Sequence, residues 1–69
     1  MRKISARNVL KGTVKEIKGG ATTAHVLIDM KGNTITASIT NEAVEDLGLQ
    51  VGKKVYAVIK STEVMVAVD

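Results

Sequence analysis

Apolar residues in this 69-residue chain recur at every second position over most of its length, and glycine, with no proline anywhere, separates the runs. Successive side chains of a strand point to opposite faces, so such a period describes strands with one buried face rather than helices. Ile4, Ala6, Leu10, Gly12 and Val14 share one parity, and Ser5, Arg7, Lys11, Thr13 and Lys15 share the other. A long first strand over 3–17 follows, apolar inside and polar outside, bent at Gly12. Gly19-Gly20 is then expected to supply the positive φ of a tight reversal.

Residues 23–30 form the next expected strand, with Ala24, Val26, Ile28 and Met30 inward and His25, Leu27 and Asp29 outward. Lys31-Gly32-Asn33 reads as a short hairpin turn. A third strand, 34–40, sets Ile35, Ala37 and Ile39 against Thr34, Thr36, Ser38 and Thr40. There the period changes. Asn41 is placed to cap a helix and Glu42 to favour its positive end. Ala43, Val44 and Leu47 form one apolar face, and Gly48 sits where a helix ends. After a loop over 49–52, segments 54–60 and 63–69 follow, joined at Ser61-Thr62 and apolar on both parities in their cores. Both faces of these strands therefore need cover. The pattern predicts one domain over 1–69, all-β with one short helix, in the order of a five-stranded OB-like Greek-key barrel.

A chain this short removes only about 60% of its unfolded surface on folding, and a lone copy is marginal. Small domains compensate with disulfides, metals or subunit partners. The chain has no Cys and one His, which excludes disulfides and thiolate metal sites and leaves too few ligands for zinc. Subunit partners remain. The basic opening Met1-Arg2-Lys3 is followed by no uninterrupted apolar stretch, so it does not read as a secretory signal. No apolar run approaches the 18 or so residues that span a bilayer, and the expected location is the cytoplasm. Ten basic residues against seven acidic give a net charge of +3, a mild preference for an anionic partner.

Catalysis is disfavoured, because no nucleophile, base and orienting group can be assembled from one His and scattered carboxylates. His25 reads as a surface or interface residue. Gly19-Gly20-Ala21-Thr22-Thr23 offers consecutive amides for an anion nest, but a plain hairpin turn is the simpler reading. It lacks the Lys of a nucleotide-binding loop. Ser5 and Arg7 share the outward face of the first strand, with the Ala6 amide between them, and Lys60-Ser61 repeats the pairing of cation and hydroxyl. These groups donate hydrogen bonds and can meet each oxygen of a compact tetrahedral dianion.

The run Ile4-Ser5-Ala6-Arg7-Asn8-Val9-Leu10-Lys11-Gly12-Thr13-Val14 resembles the opening signature of the molbindins, free-standing Mop domains. Ile35 to Ala43, Leu47-Gly48-Leu49 and Val58-Ile59-Lys60-Ser61-Thr62 continue the likeness over essentially the whole chain. The resemblance implies an OB-like barrel assembled as a trimer of dimers, a hexamer, that stores molybdate or tungstate between subunits in the cytoplasm. It implies no organic cofactor and no metal ligated directly by the protein. Ser5, Ala6 and Arg7 of one chain would line the oxyanion site with Lys60 and Ser61 of a neighbour. A second site is implied near Gly20, Ala21 and Thr22. Two other readings compete: a nucleic-acid-binding OB module, which the single aromatic Tyr56 serves poorly as a stacking platform, and a protein-interaction scaffold.

Overall fold

The computed structural model describes residues 3–69; Met1 and Arg2, the start of the basic opening, lie outside the described residues. The elements run β1 (Asn8–Gly19), β2 (Thr23–Met30), β3 (Asn33–Thr40), α1 (Asn41–Asp46), β4 (Lys54–Ile59) and the 3₁₀ turn η1 (Ser61–Glu63). The strands make one antiparallel sheet in the order β3-β2-β1-β4. The protein is thus all-β with one short helix, and its sheet is open.

β1 is shared between two partners. Residues 8–13 pair with β4, and residues 13–19 pair with β2. Gly12 lies at the crossing, where the chain passes so close to β2 that a Cβ there would stand 2.5 Å from Ile28 Cγ2 and 2.8 Å from Met30 Cγ. Just beyond it the register slips between Val14 and Glu16, which makes Lys15 the extra residue of a β-bulge. The bulge switches parity, so Val14 opposite Ile28 and Ile17 opposite Val26 both face the core although three positions apart. Val14, Ala24, Val26, Ile28 and Ala57 are buried at its centre.

The β2–β3 hairpin forms where expected. Lys31 (φ 51°) and Gly32 (φ 91°) both take left-handed conformations between the paired Met30 and Asn33, a two-residue type I′ turn. The other reversal differs from expectation. Neither Gly19 nor Gly20 has a positive φ; Gly20 is needed because its amide donates to Thr23 O at 2.9 Å, where a Cβ would also stand 2.9 Å from that oxygen.

The helix is capped one residue earlier than its sequence suggests. Thr40 is the N-cap, its hydroxyl accepting from the Ala43 amide at 3.0 Å, and Asn41 is the first helical residue. Gly48 (φ 61°) ends it as expected, and Lys53 Nζ donates to Leu47 O at 2.6 Å and to Gly48 O at 3.2 Å. The cap can be tested directly. Thr40→Ala should lower stability by about 1 kcal/mol, read as a shift in the urea midpoint at unchanged slope.

Two strand ends depart from the sequence reading. β1 begins at Asn8 rather than near residue 3, because its partner β4 ends at Ile59 and the ladder stops with it. Ser5 and Arg7 therefore do not ride on a strand. Of residues 63–69, expected as a fifth strand, Glu63 ends η1, and 64–69 have no regular structure and pair with none of the described residues. Met65, Val66 and Val68 stand 93%, 89% and 92% exposed. Meanwhile an open apolar groove of about 610 Å³ lies on the inner side of the sheet, lined by Ile35, Ile39, Leu49, Val55 and Ile59 among others. The five-stranded closed barrel is not formed by the single chain.

Candidate functional site

The β1–β4 ladder decides where the sequence-predicted anion ligands meet. Its last pair is Asn8 with Ile59, and the Asn8 side-chain amide reinforces it by donating to Ile59 O at 3.2 Å. Arg7 is the residue before this pair on one strand, and Lys60 is the residue after it on the other. The two cations are therefore brought to one end of the sheet within a single chain, a meeting that the strand order by itself does not require.

Beyond Lys60 the chain turns at once into η1, with the Glu63 amide donating to Lys60 O at 2.9 Å and the Val64 amide to Ser61 O at 3.3 Å. The turn holds Ser61 beside Lys60 at the corner. Ser5, Arg7, Lys60 and Ser61 are exposed and Ala6 is half-buried. Among the described residues the one ion pair is Lys18 with Glu16, at 4.0 Å, so neither the Arg7 guanidinium nor the Lys60 ammonium is neutralised by a carboxylate. Two unneutralised cations at one end of the sheet favour a dianion over a monoanion, since each charge can meet its own oxygen. The guanidinium fork can serve two oxygens at once, and the ammonium and hydroxyls the rest.

Gly20, Ala21 and Thr22 lie at the opposite end of β1, in the loop to β2, all three exposed. Asn41 pins this loop: its amide donates to Thr22 O at 2.8 Å and its Nδ2 to Gly20 O at 3.0 Å. The loop is thus brought against the start of α1 and away from the Arg7–Lys60 corner. His25 stands on the outer face opposite Lys18 and Ser38 and is exposed. No group of three or more His, Cys, Asp or Glu among the described residues is arranged to hold a metal ion. Among the described residues no helix is long and apolar enough to cross a membrane.

Two residues matter here that sequence reasoning passed over. Asn8 closes the corner through Ile59, a contact 51 positions away that no local pattern signals. Asn41 was assigned to the helix cap, but its side chain serves the loop instead.

A TOBE domain profile matches residues 4–66. Molybdenum-pterin-binding protein 1 of Clostridium pasteurianum is 50% identical over 64 residues, 91% of this chain and 94% of that relative. A molybdate-binding protein from Sporomusa ovata superposes with a TM-score of 0.92 at 47% identity, over 96% of this chain and 98% of that one. The cytoplasmic molybdate-binding protein ModG, with molybdate bound, matches with a TM-score of 0.83 at 48% identity, over 87% of this chain and 43% of its own. A profile covering nearly the whole chain, with half-identical relatives of the same length, leaves one assignment: the chain belongs to the TOBE domain family and, within it, to the molbindins.

Proposed function

We propose that the chain, as one domain over 1–69, binds molybdate or the near-isosteric tungstate and serves as a cytoplasmic store of it, a binding protein rather than an enzyme. The observation that supports this reading is the Asn8–Ile59 pair, which Arg7 and Lys60 flank at one end of the sheet with no carboxylate paired to either among the described residues. The names of its relatives point the same way. The dianion is held by Ser5, Ala6 and Arg7 together with Lys60 and Ser61, through charge-assisted hydrogen bonds and without direct metal ligation or an organic cofactor.

The site is completed in an oligomer. Segment 64–68 carries Val64, Met65, Val66, Ala67 and Val68 into solvent, while the groove between β3 and β4 lacks the strand that would cover it. A second copy supplies that strand and closes the barrel to five strands, and the Lys60-Ser61 root from which its segment leaves comes to the Ser5–Arg7 segment beside this chain's own Lys60. Repetition of this contact builds a trimer of dimers. A second oxyanion site lies at Gly20, Ala21 and Thr22.

Calorimetric titration with molybdate tests the site. Arg7→Lys keeps the charge but loses the fork, and should weaken binding by about 1–3 kcal/mol at unchanged melting temperature without ligand. Equal affinity of the two proteins would remove Arg7 from the site.

A further inference from the structure

The helix does not need the Asn41 side chain. Thr40 already accepts from the Ala43 amide at 3.0 Å, so the cap is complete without it. Asn41 instead spans 21 positions of sequence to donate Nδ2 to Gly20 O at 3.0 Å, while its backbone amide takes Thr22 O at 2.8 Å. In a planar trans peptide the carbonyl and the following N–H point in opposite directions. Holding Gly20 O toward Asn41 therefore turns the Ala21 amide away from α1, out of the loop. The Gly20 amide is already committed to Thr23 O. The Gly20 and Thr22 carbonyls are both taken by Asn41, and what the Gly20–Ala21 peptide presents outward is therefore the Ala21 hydrogen-bond donor.

We propose that Asn41 is a positioning residue for oxyanion binding, aiming the Ala21 amide of the Gly20-Ala21-Thr22 loop at a tetrahedral dianion that Asn41 itself does not touch. This rests on the reading of that loop as the second site. Loss of the Nδ2 donor leaves the Gly20–Ala21 peptide held only through the Gly20 and Asn41 backbone amides, so the direction of the Ala21 amide is no longer fixed by a bond to Gly20 O.

The experiment is molybdate titration by calorimetry, with bound molybdenum counted, on the wild-type chain and on Asn41→Ala, Asn41→Gln and Thr22→Asp. Thr22→Asp sets a carboxylate in the loop and so marks which binding events belong there. Asn41→Ala should raise the Kd of the loop events roughly tenfold, the lower end of what losing an orienting partner costs a ligand site. The events lost in Arg7→Lys should be unchanged by it. Asn41→Gln, which keeps the donor on a longer arm, should recover part of the affinity. A purely structural role would lower the ligand-free melting temperature and leave the loop affinity as it was; that result overturns the proposal. A wild-type chain with no binding that Thr22→Asp removes overturns the second-site reading itself, and the role of Asn41 with it.

Discussion

A chain carrying Val66→Asp should sediment as a monomer and melt far below the wild type. Val66 is 89% exposed in the single chain, where a carboxylate would be harmless. If segment 64–68 of one copy fills the groove of another, the same carboxylate is forced into a cavity lined mainly by Val, Ile and Leu side chains, with Lys53 its one charged lining residue. Losing the buried valine removes about 1.5–3 kcal/mol, and an unpaired charge there adds several more. The assembly cannot absorb that, since each copy alone is marginal at this length. Asn33→Asp adds the same charge in the exposed β2–β3 hairpin and should leave both sedimentation and melting unchanged. A Val66→Asp chain that assembles like the wild type would show that the segment does not seat in a partner's groove. Calorimetry on the monomer would then report how much of the anion affinity one chain's corner retains.

Gly12→Ala carries the second large effect, and it acts on the fold of each chain. The added methyl would stand 2.5 Å from Ile28 Cγ2 and 3.0 Å from the Asp29 carbonyl oxygen. The side chain could move aside, but the backbone oxygen belongs to β2 and moves only with the strand. Overpacking of this kind costs about 1–3 kcal/mol, and the upper end is expected because the clash falls where β1 passes from one partner to the other. Gly19→Ala is the matched control. Its methyl meets nothing within 4 Å and its φ is not positive, so the substitution should be neutral or slightly stabilising. Urea midpoints of the two variants at equal protein concentration would separate close approach from a general intolerance of β1 to side chains.

The parts of the fold legible in the sequence were those decided by neighbours along the chain. Alternation in 23–30 and 34–40 located β2 and β3, and Lys31-Gly32 gave the turn between them, because a two-residue hairpin is a local affair. Gly48 marked the helix end for the same reason. The errors arose wherever a distant partner decided. Ile4 and Ala6 continue the alternation of β1, yet β4 offers nothing beyond Ile59 to pair with them. Thr40 and Asn41 are both good caps; Thr40 takes the cap, and Asn41 bonds Gly20, 21 positions away. Segment 63–69 looks like a strand buried on both faces, yet it pairs with none of the described residues of its own chain and its apolar side chains stay exposed. At the candidate site, the donor types of Ser5, Arg7, Lys60 and Ser61 could be read directly. Their meeting within one chain could not, since it depends on the register of β1 against β4.

That register also has a consequence for the order in which the protein comes into being. The β2–β3 hairpin closes through two residues, whereas the Asn8–Ile59 contact closes a loop of 51 positions and pays the larger chain entropy. During synthesis the Arg7 half of the corner emerges first and waits for nearly the entire chain before Lys60 arrives opposite it. The two cations are thus kept apart until every other strand of the sheet has been made, and a nascent or truncated chain cannot present them together. A site that needs both cations can form only in a chain made through Lys60.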